Sequence, residues 1–490
     1  MNLSLFTPEI ALIISLVIAI FIDVICKRQP KITGYWTLIA FVVTAILAIC
    51  NSCGTSAITF SGLLVIDPFS HFFKILILLG AIICTVFTFN ANELNNGKNS
   101  IGEFYILLIG MTIGMMLLSS ASNLIMIYLA FETMSLSSYV LAGYTKEVKR
   151  SSEASLKYVI YGSLASGLMI YGMSMLFGLT GSLDLSIINS VLSGQTGNNL
   201  ATVTAGLLIF AGIAYKISAV PFHFWTPDVY EGAPVATTAL LSVVSKAAGF
   251  AVLIRFIGAG FVNTATSTQD VWNTLGTFDW QYTLGIVAVI TMTVGNLIAI
   301  WQTNVKRMLA YSSIAHCGYM LMGVMVMTTA GLEGVMFYFI TYLLMNFGAF
   351  YVVQLIANKV GSDDMEDWNG IVYKNPFIAV AMTILLLSLT GMPPFAGFIG
   401  KWYLFIPVIQ AGYVGIAVIG VLNSVVSVFY YVKVIRNMFL RGDVETTERI
   451  SFGKPAMVFL YAMVVPVALL VIYPSPLLVW VKNSALLLLR

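Results

Sequence analysis

Long apolar stretches separated by short polar ones run the length of this chain. Apolar runs bounded by charges or by Gly, Pro and Asn clusters cover roughly 9–26, 34–52, 70–90, 102–120, 122–143, 154–178, 202–220 and 235–258, then 282–301, 308–328, 333–357, 376–410, 413–437 and 455–480. About 20 apolar residues in a helix cross the hydrocarbon core of a bilayer. The pattern therefore predicts an all-α polytopic membrane protein with about 14 transmembrane helices. The first run lacks a basic leader and a small-residue cleavage site, and Cys26, Lys27 and Arg28 follow it, so it reads as a retained helix.

Composition agrees and removes other classes. Only 9% of the 490 residues are charged and 59% are hydrophobic, with a mean hydropathy of +0.94. A soluble chain usually carries about a quarter charged residues, so a soluble enzyme is excluded. The net charge of +3 comes from scattered bases and offers no nucleic-acid surface. Cys50 and Cys53 form a lone Cys-x-x-Cys, Cys26, Cys84 and Cys317 stand apart, and no second pair or partnering His suggests a metal. Three histidines, His71, His223 and His316, are too few for a multi-haem protein. No glycine-rich nucleotide motif joins a strand to a helix.

The basic residues report orientation, because Lys and Arg stay on the cytoplasmic side. With the N-terminus outside, sixteen of the 24 fall in inner loops, among them Lys27, Arg28, Lys98, Lys306 and Arg307. Lys74, Arg255, Lys482 and Arg490 fall near the outer face, and the loops at 179–201 and 259–281 carry Asp184, Asp270 and Asp279 but no base. This places both termini on the outer side of the membrane.

Lys157, Lys216, Lys246 and Lys401 remain inside apolar runs, together with Glu132. An uncompensated charge at mid-bilayer costs about 2.5–3.5 kcal/mol on insertion scales, so each needs an explanation. One is structural, a buried ion pair or a lysine reaching the interface; the other is a path for protons or ions. Glu132 has Tyr128, Ser135 and Tyr139 at helical offsets, hence a polar stripe. Lys246 shares a face with Ser242 and Gly249 near the middle of its run. Lys157 follows Glu153 by one turn, which also suits an ordinary ion pair. His223 and His316 are further relay candidates, since a neutral imidazole can pass a proton between its nitrogens; a plain helix-contact histidine is the alternative.

Lys216 and Lys401 each lie beside a helix break. Pro221 follows Lys216 by five residues, and Gly391, Pro393 and Pro394 precede Lys401. Proline removes a backbone donor and clashes with the preceding turn, and broken backbone at that depth survives only within protein or a cavity. The breaks recur about 172 residues apart, in the fourth of five spans of each set. Five is odd, so the sets would enter the membrane from opposite sides as inverted repeats. The expected organisation is a three-helix segment at 1–100, a first five-helix repeat at 101–258, an inverted second repeat at 282–437 and a terminal helix at 455–490.

PFHFWTPDVYEGAP followed by SKAAGF, with GMPPFAGFIGKWYLF, NVKRMLAYSSIAHCGY and FETMSLSSY, resembles the antiporter-like membrane subunits of bacterial respiratory complex I, the proton-translocating NADH:quinone oxidoreductase, and subunit N above all. The resemblance covers nearly the whole chain. It implies a glutamate on the fifth helix, Glu132, paired with Lys216 on the broken seventh, a central Lys246 on the eighth and a terminal Lys401 on the broken twelfth. Lys157 matches a sixth-helix lysine. One sibling subunit adds a long lateral helix, whereas here the chain stops at Arg490 after the last run; another has glutamate where Lys401 stands.

The resemblance also implies a translocase subunit without redox chemistry or cofactor of its own. FMN, iron–sulfur clusters and quinone would sit elsewhere in the complex, and the partners would be other membrane-arm subunits and lipid. An Mrp-like cation/proton antiporter subunit is the alternative, and a purely structural scaffold a third reading.

Overall fold

A computed structural model describes residues 3–26, 29, 31–52, 56–95, 101–194, 200–263, 266–268, 270–276, 278–441 and 449–485. Lys27, Arg28, Cys53, Lys98 and Arg490 lie outside the described residues. The helices are α1 (Thr7–Ile25), α2 (Lys31–Asn51), α3 (Pro68–Phe89), α4 (Asn92–Asn95), α5 (Ile101–Ser120), α6 (Leu124–Ala142), α7 (Lys149–Thr180), α8 (Leu185–Ser193), α9 (Leu200–Ile217) and α10 (Trp225–Gly232). They continue as α11 (Val235–Gly260), α12 (Trp280–Ile300), α13 (Val305–Met325), α14 (Thr329–Val360), α15 (Ile371–Lys374), α16 (Pro376–Thr390), α17 (Ala396–Gln410), α18 (Val414–Leu440), α19 (Lys454–Leu469) and α20 (Ser475–Ser484). Among the described residues, 12 helices are long and apolar enough to cross a membrane, and Pro376–Thr390 and Lys454–Leu469 are shorter apolar helices. This is an all-α multi-span membrane protein.

The helix limits follow the apolar runs, and the two anticipated breaks are present: α9 stops at Ile217 and α16 at Thr390. The run at 455–480 is not one helix. It divides into α19 and α20, with Pro474 at the start of the second piece. A short antiparallel hairpin, β1 (Ala57–Thr59) with β2 (Leu64–Ile66), and the nine-residue α8 occupy segments read as loops.

Helix α11 is the axis of the bundle, with every residue but Ala259 buried. Helices α13 and α14 pack beside it and are almost as fully enclosed, whereas α1, α2 and α18 are largely exposed. Their exposed large side chains are mostly Ile, Leu and Val, with Phe21, Tyr35 and Phe429 among them, as suits hydrocarbon.

A backbone pattern repeats at an interval of 180–181 residues. Leu124 N–H donates to the Leu183 carbonyl and Leu185 N–H to Ser122; Val305 N–H donates to Asp363 and Met365 N–H to Thr303. Asn123 and Asn304 cap the helices that follow, α6 and α13. The 32-residue helices α7 and α14 end at Gly181 and Gly361, with φ of +69° and +81°, a conformation glycine adopts without a Cβ penalty. Gly114 on α5 lies against α6 at Met134, and Gly295 on α12 against α13 at Ala315.

Two buried ion pairs lock one end of the bundle. Lys74 meets Glu9 at 2.6 Å, joining α3 to α1, and both are 1% exposed. Arg255 on α11 donates to both Asp67 oxygens at 3.1 and 2.9 Å. Lys74 and Arg255, expected near the outer face on charge alone, are buried in the bundle against carboxylates that lie far away in sequence.

The close helix approaches make a prediction. A Cβ at Gly114 would lie 2.6 Å from the Met134 backbone nitrogen, and one at Gly295 would lie 2.7 Å from that of Ala315. Gly114→Val and Gly295→Val should each destabilise the protein by about 1–3 kcal/mol, read as a lower thermal midpoint in detergent. Gly167→Val, where nothing lies within 4 Å, should leave the midpoint unchanged.

Candidate proton-relay site

Lys216 occupies the last turn of α9, where Ser218 (φ +62°) and the turn that follows end the helix before α10. The ammonium is buried, and donates to Ser135 Oγ at 3.1 Å, Tyr158 Oη at 3.2 Å and Ser138 Oγ at 3.4 Å. The rings of Phe131, Tyr139 and Tyr158 face it at 5.3–5.8 Å, and cation–π attraction adds to the neutral dipoles. Glu132 accepts from Ser166 Oγ at 2.5 Å. The anticipated Glu132–Lys216 pair is not in direct contact: Ser135, one turn along α6 from Glu132, stands beside the ammonium instead.

Lys246, buried in the middle of α11, donates to Ser313 Oγ at 2.5 Å and to the Ser313 carbonyl at 3.3 Å, with the Tyr230 ring 5.8 Å away. Three residues along α13, His316 is bonded through Nδ1 to Tyr338 Oη at 2.6 Å and lies 3.4 Å through Nε2 from Tyr431 Oη, which in turn meets Ser312. Lys401 on α17 donates to the Thr390 carbonyl at 2.7 Å, one of the carbonyls freed where α16 ends, and to Ser424 Oγ at 2.9 Å. The Tyr319 ring lies 4.6 Å from this ammonium. Lys246, His316 and Lys401 thus lie in one polar seam along α13, and Lys216 sits in its own group of hydroxyls from α6 and α7.

Two candidates lie outside both groups. Lys157 is 37% exposed and pairs with Glu153 at 2.7 Å and Asp228 at 2.6 Å. The other Asp228 oxygen meets Arg307 at 2.6 Å, and Arg307 also meets Glu231 at 2.9 Å. Lys157 therefore belongs to a charged cluster linking α7, α10 and α13. His223 is buried after the first break, its ring 4.4 Å from that of Phe224 at a tilt of 32°, and among the described residues it bonds to none of the lysines.

Sequence reasoning missed the neutral partners Tyr158, Ser166, Ser313, Tyr319, Tyr338, Ser424 and Tyr431. For Ser313 a signal existed: it follows Glu132 by 181 residues, the interval of the repeat. The tyrosines, inside apolar runs, look like ordinary core residues.

Comparison with known proteins places this geometry. A family model described as "NADH:quinone oxidoreductase/Mrp antiporter, TM" matches residues 121–427. A relative from Chlorobium chlorochromatii, "NADH-quinone oxidoreductase subunit N", is 43% identical over 93% of this chain and 89% of its own. The chain belongs to the NADH-quinone oxidoreductase subunit N family. A second family member, "NADH-quinone oxidoreductase subunit N 2" from Chloroherpeton thalassium, is 47% identical over 79% of this chain and 76% of its own. Among solved structures, a chain of "Respiratory complex I from Thermus thermophilus with bound Aureothin" superposes with a TM-score of 0.78 at 30% identity, covering 96% of this chain and 98% of that one. The family match spans both broken helices and Lys216, Lys246 and Lys401.

The second break tests the geometry around Lys401. Gly391 has φ +88°, and a Cβ there would lie 2.7 Å from Lys401 Cδ; Gly412 has the same φ with nothing within 4 Å. Gly412→Ala should cost only the left-handed strain, about 1–2 kcal/mol. Gly391→Ala should cost that plus displacement of Lys401, hence a larger fall in thermal midpoint. Equal falls would contradict the contact.

Proposed function

We propose that this chain is the proton-translocating membrane-arm subunit N of a bacterial NADH:quinone oxidoreductase. It moves protons along Lys216, Lys246 and Lys401 while electrons pass from NADH to quinone elsewhere in the complex. The observation that carries this reading is the set of three interior ammoniums held by hydroxyls, carbonyls and rings, with no carboxylate ion pair to any of them among the described residues. A lysine so held has no fixed counterion to keep its proton. Glu132 moving toward Lys216 strengthens the lysine's hold on its proton, and moving away weakens it and releases the proton toward Lys246. His316, with its two tyrosine hydroxyls, lies on the seam between Lys246 and Lys401 as a neutral relay, while Lys157 and His223 act around the first break.

The same reading orients the chain. Both termini lie on the outer side of the inner membrane, with the basic loops inside. Residues 1–100 form the three-helix segment, 101–258 and 282–437 the inverted repeats, and 455–490 the terminal segment; the 180–181-residue repetition of backbone bonds supports the two central units. Moving a charge outward costs about 2.3 kcal/mol per 100 mV. FMN, iron–sulfur clusters and quinone would sit in the other subunits, where electron transfer from NADH to quinone would supply that work. The partners are the neighbouring membrane-arm subunits and lipid.

The test begins with purification from native membranes. Iron–sulfur and flavin subunits should co-purify, and inside-out vesicles should take up protons on adding NADH. Glu132→Gln and Lys401→Ala should each slow that uptake by tenfold or more, the scale of a lost proton-transfer group. Isolation without those subunits, with sodium-driven proton flux, would favour the Mrp-type antiporter instead.

A further inference from the structure

Lys246 needs a source of protons, and one polar cavity stands at the end of its helix. A cavity of about 390 Å³ is lined by Asn92, Glu93, Arg150, Val235, Gln354 and Asp363, among others, with room for about ten or more waters. It lies where α11 begins. Glu93, on α4, accepts the Val235 N–H at 2.6 Å and so caps α11 from outside, a service the preceding Pro234 does not provide. Lys306, on α13, donates to the Ala233 carbonyl at 2.9 Å and lies 3.7 Å from Asp363.

A stripe of amides leads inward from this cavity. Gln354 is buried and donates to the Phe87 carbonyl at 3.0 Å, while its Oε1 has no partner among the described residues. Two turns back along α14, Asn346 donates to Ser242 Oγ at 2.6 Å, and its Oδ1 is likewise buried without a partner. Ser242 is one turn from Lys246 on α11. Buried amide oxygens are normally bonded, so two orphans in line with a polar cavity point to water. Between them, on the same face of α14, buried Phe350 interrupts the amide stripe over a helix rise of about 12 Å.

We propose that this cavity is the inner aqueous inlet for Lys246, with Glu93 as the carboxylate that takes up protons and Gln354, Asn346 and Ser242 as the onward route. Hydronium gives its proton to the Glu93 carboxylate and leaves as water. The carboxylic acid then passes the proton to water along the stripe when the Phe350 segment hydrates, and Lys246 receives it. The inlet rests on the lysine-relay reading above.

Two measurements on the intact complex test it. Glu93→Gln keeps an oxygen for the Val235 N–H while removing titration, so its NADH-driven proton uptake should fall tenfold or more, with Glu93→Asp restoring most of the rate. Wild-type uptake by Glu93→Gln, in vesicles where Lys246→Ala has lost uptake, would overturn the inlet and leave the relay standing. Wild-type uptake by Lys246→Ala would overturn both. Independently of turnover, Gln354→Cys should react with a small cationic methanethiosulfonate applied from the inner face, read as a mass shift of its peptide; no reaction would overturn a water-filled inlet.

Discussion

Three ammoniums sit in the interior of an apolar bundle without carboxylate ion pairs among the described residues, and that constraint orders the rest of the structure. The protein can pair interior charges when position is all that is wanted: Lys74 with Glu9 and Arg255 with Asp67 are locked, desolvated ion pairs. Breaking such a pair strands a charge and is strongly destabilising, which suits a fixed joint between α1, α3 and α11. Lys216, Lys246 and Lys401 are treated differently. Each has hydroxyl or carbonyl oxygens and an aromatic face, enough to keep an ammonium in place and too little to hold its proton permanently.

The fold supplies those oxygens in two ways. Breaking α9–α10 and α16–α17 frees backbone groups in the interior, and the Thr390 carbonyl goes directly to Lys401. Repetition supplies the rest, because the helix that presents Glu132, Ser135 and Ser138 in one half presents Ser313, His316 and Tyr319 at the matching positions in the other. A carboxylate position in the first half is thus a hydroxyl in the second, and that hydroxyl is the closest partner of Lys246. The fully enclosed α11 carries the central lysine between the halves.

Much of this was legible in the sequence because membrane spans announce themselves by length and hydropathy. Helix limits followed the apolar runs, and Pro221, Pro393 and Pro394 marked both breaks. What failed depended on contacts between distant segments. Lys74 and Arg255 could be placed by depth but not by partner, since Glu9 and Asp67 belong to other elements. Lys157 looked like a fourth interior lysine until Asp228, 71 residues away, was found beside it. The run at 455–480 stayed apolar through its break, so α20 carried no warning in hydropathy. The tyrosine hydroxyls of the seam were invisible for the same reason: in an apolar run a tyrosine at a helix contact and one serving an ammonium are written alike.

The central claim is that Lys246 works because no carboxylate holds its proton. Ser313→Asp would place one there, at the position that answers to Glu132 in the other half. In the assembled complex in inside-out vesicles, the account predicts that NADH-driven proton uptake is lost in Ser313→Asp and kept in the near-isosteric Ser313→Cys. Uptake at the wild-type rate with an aspartate beside Lys246 would contradict it.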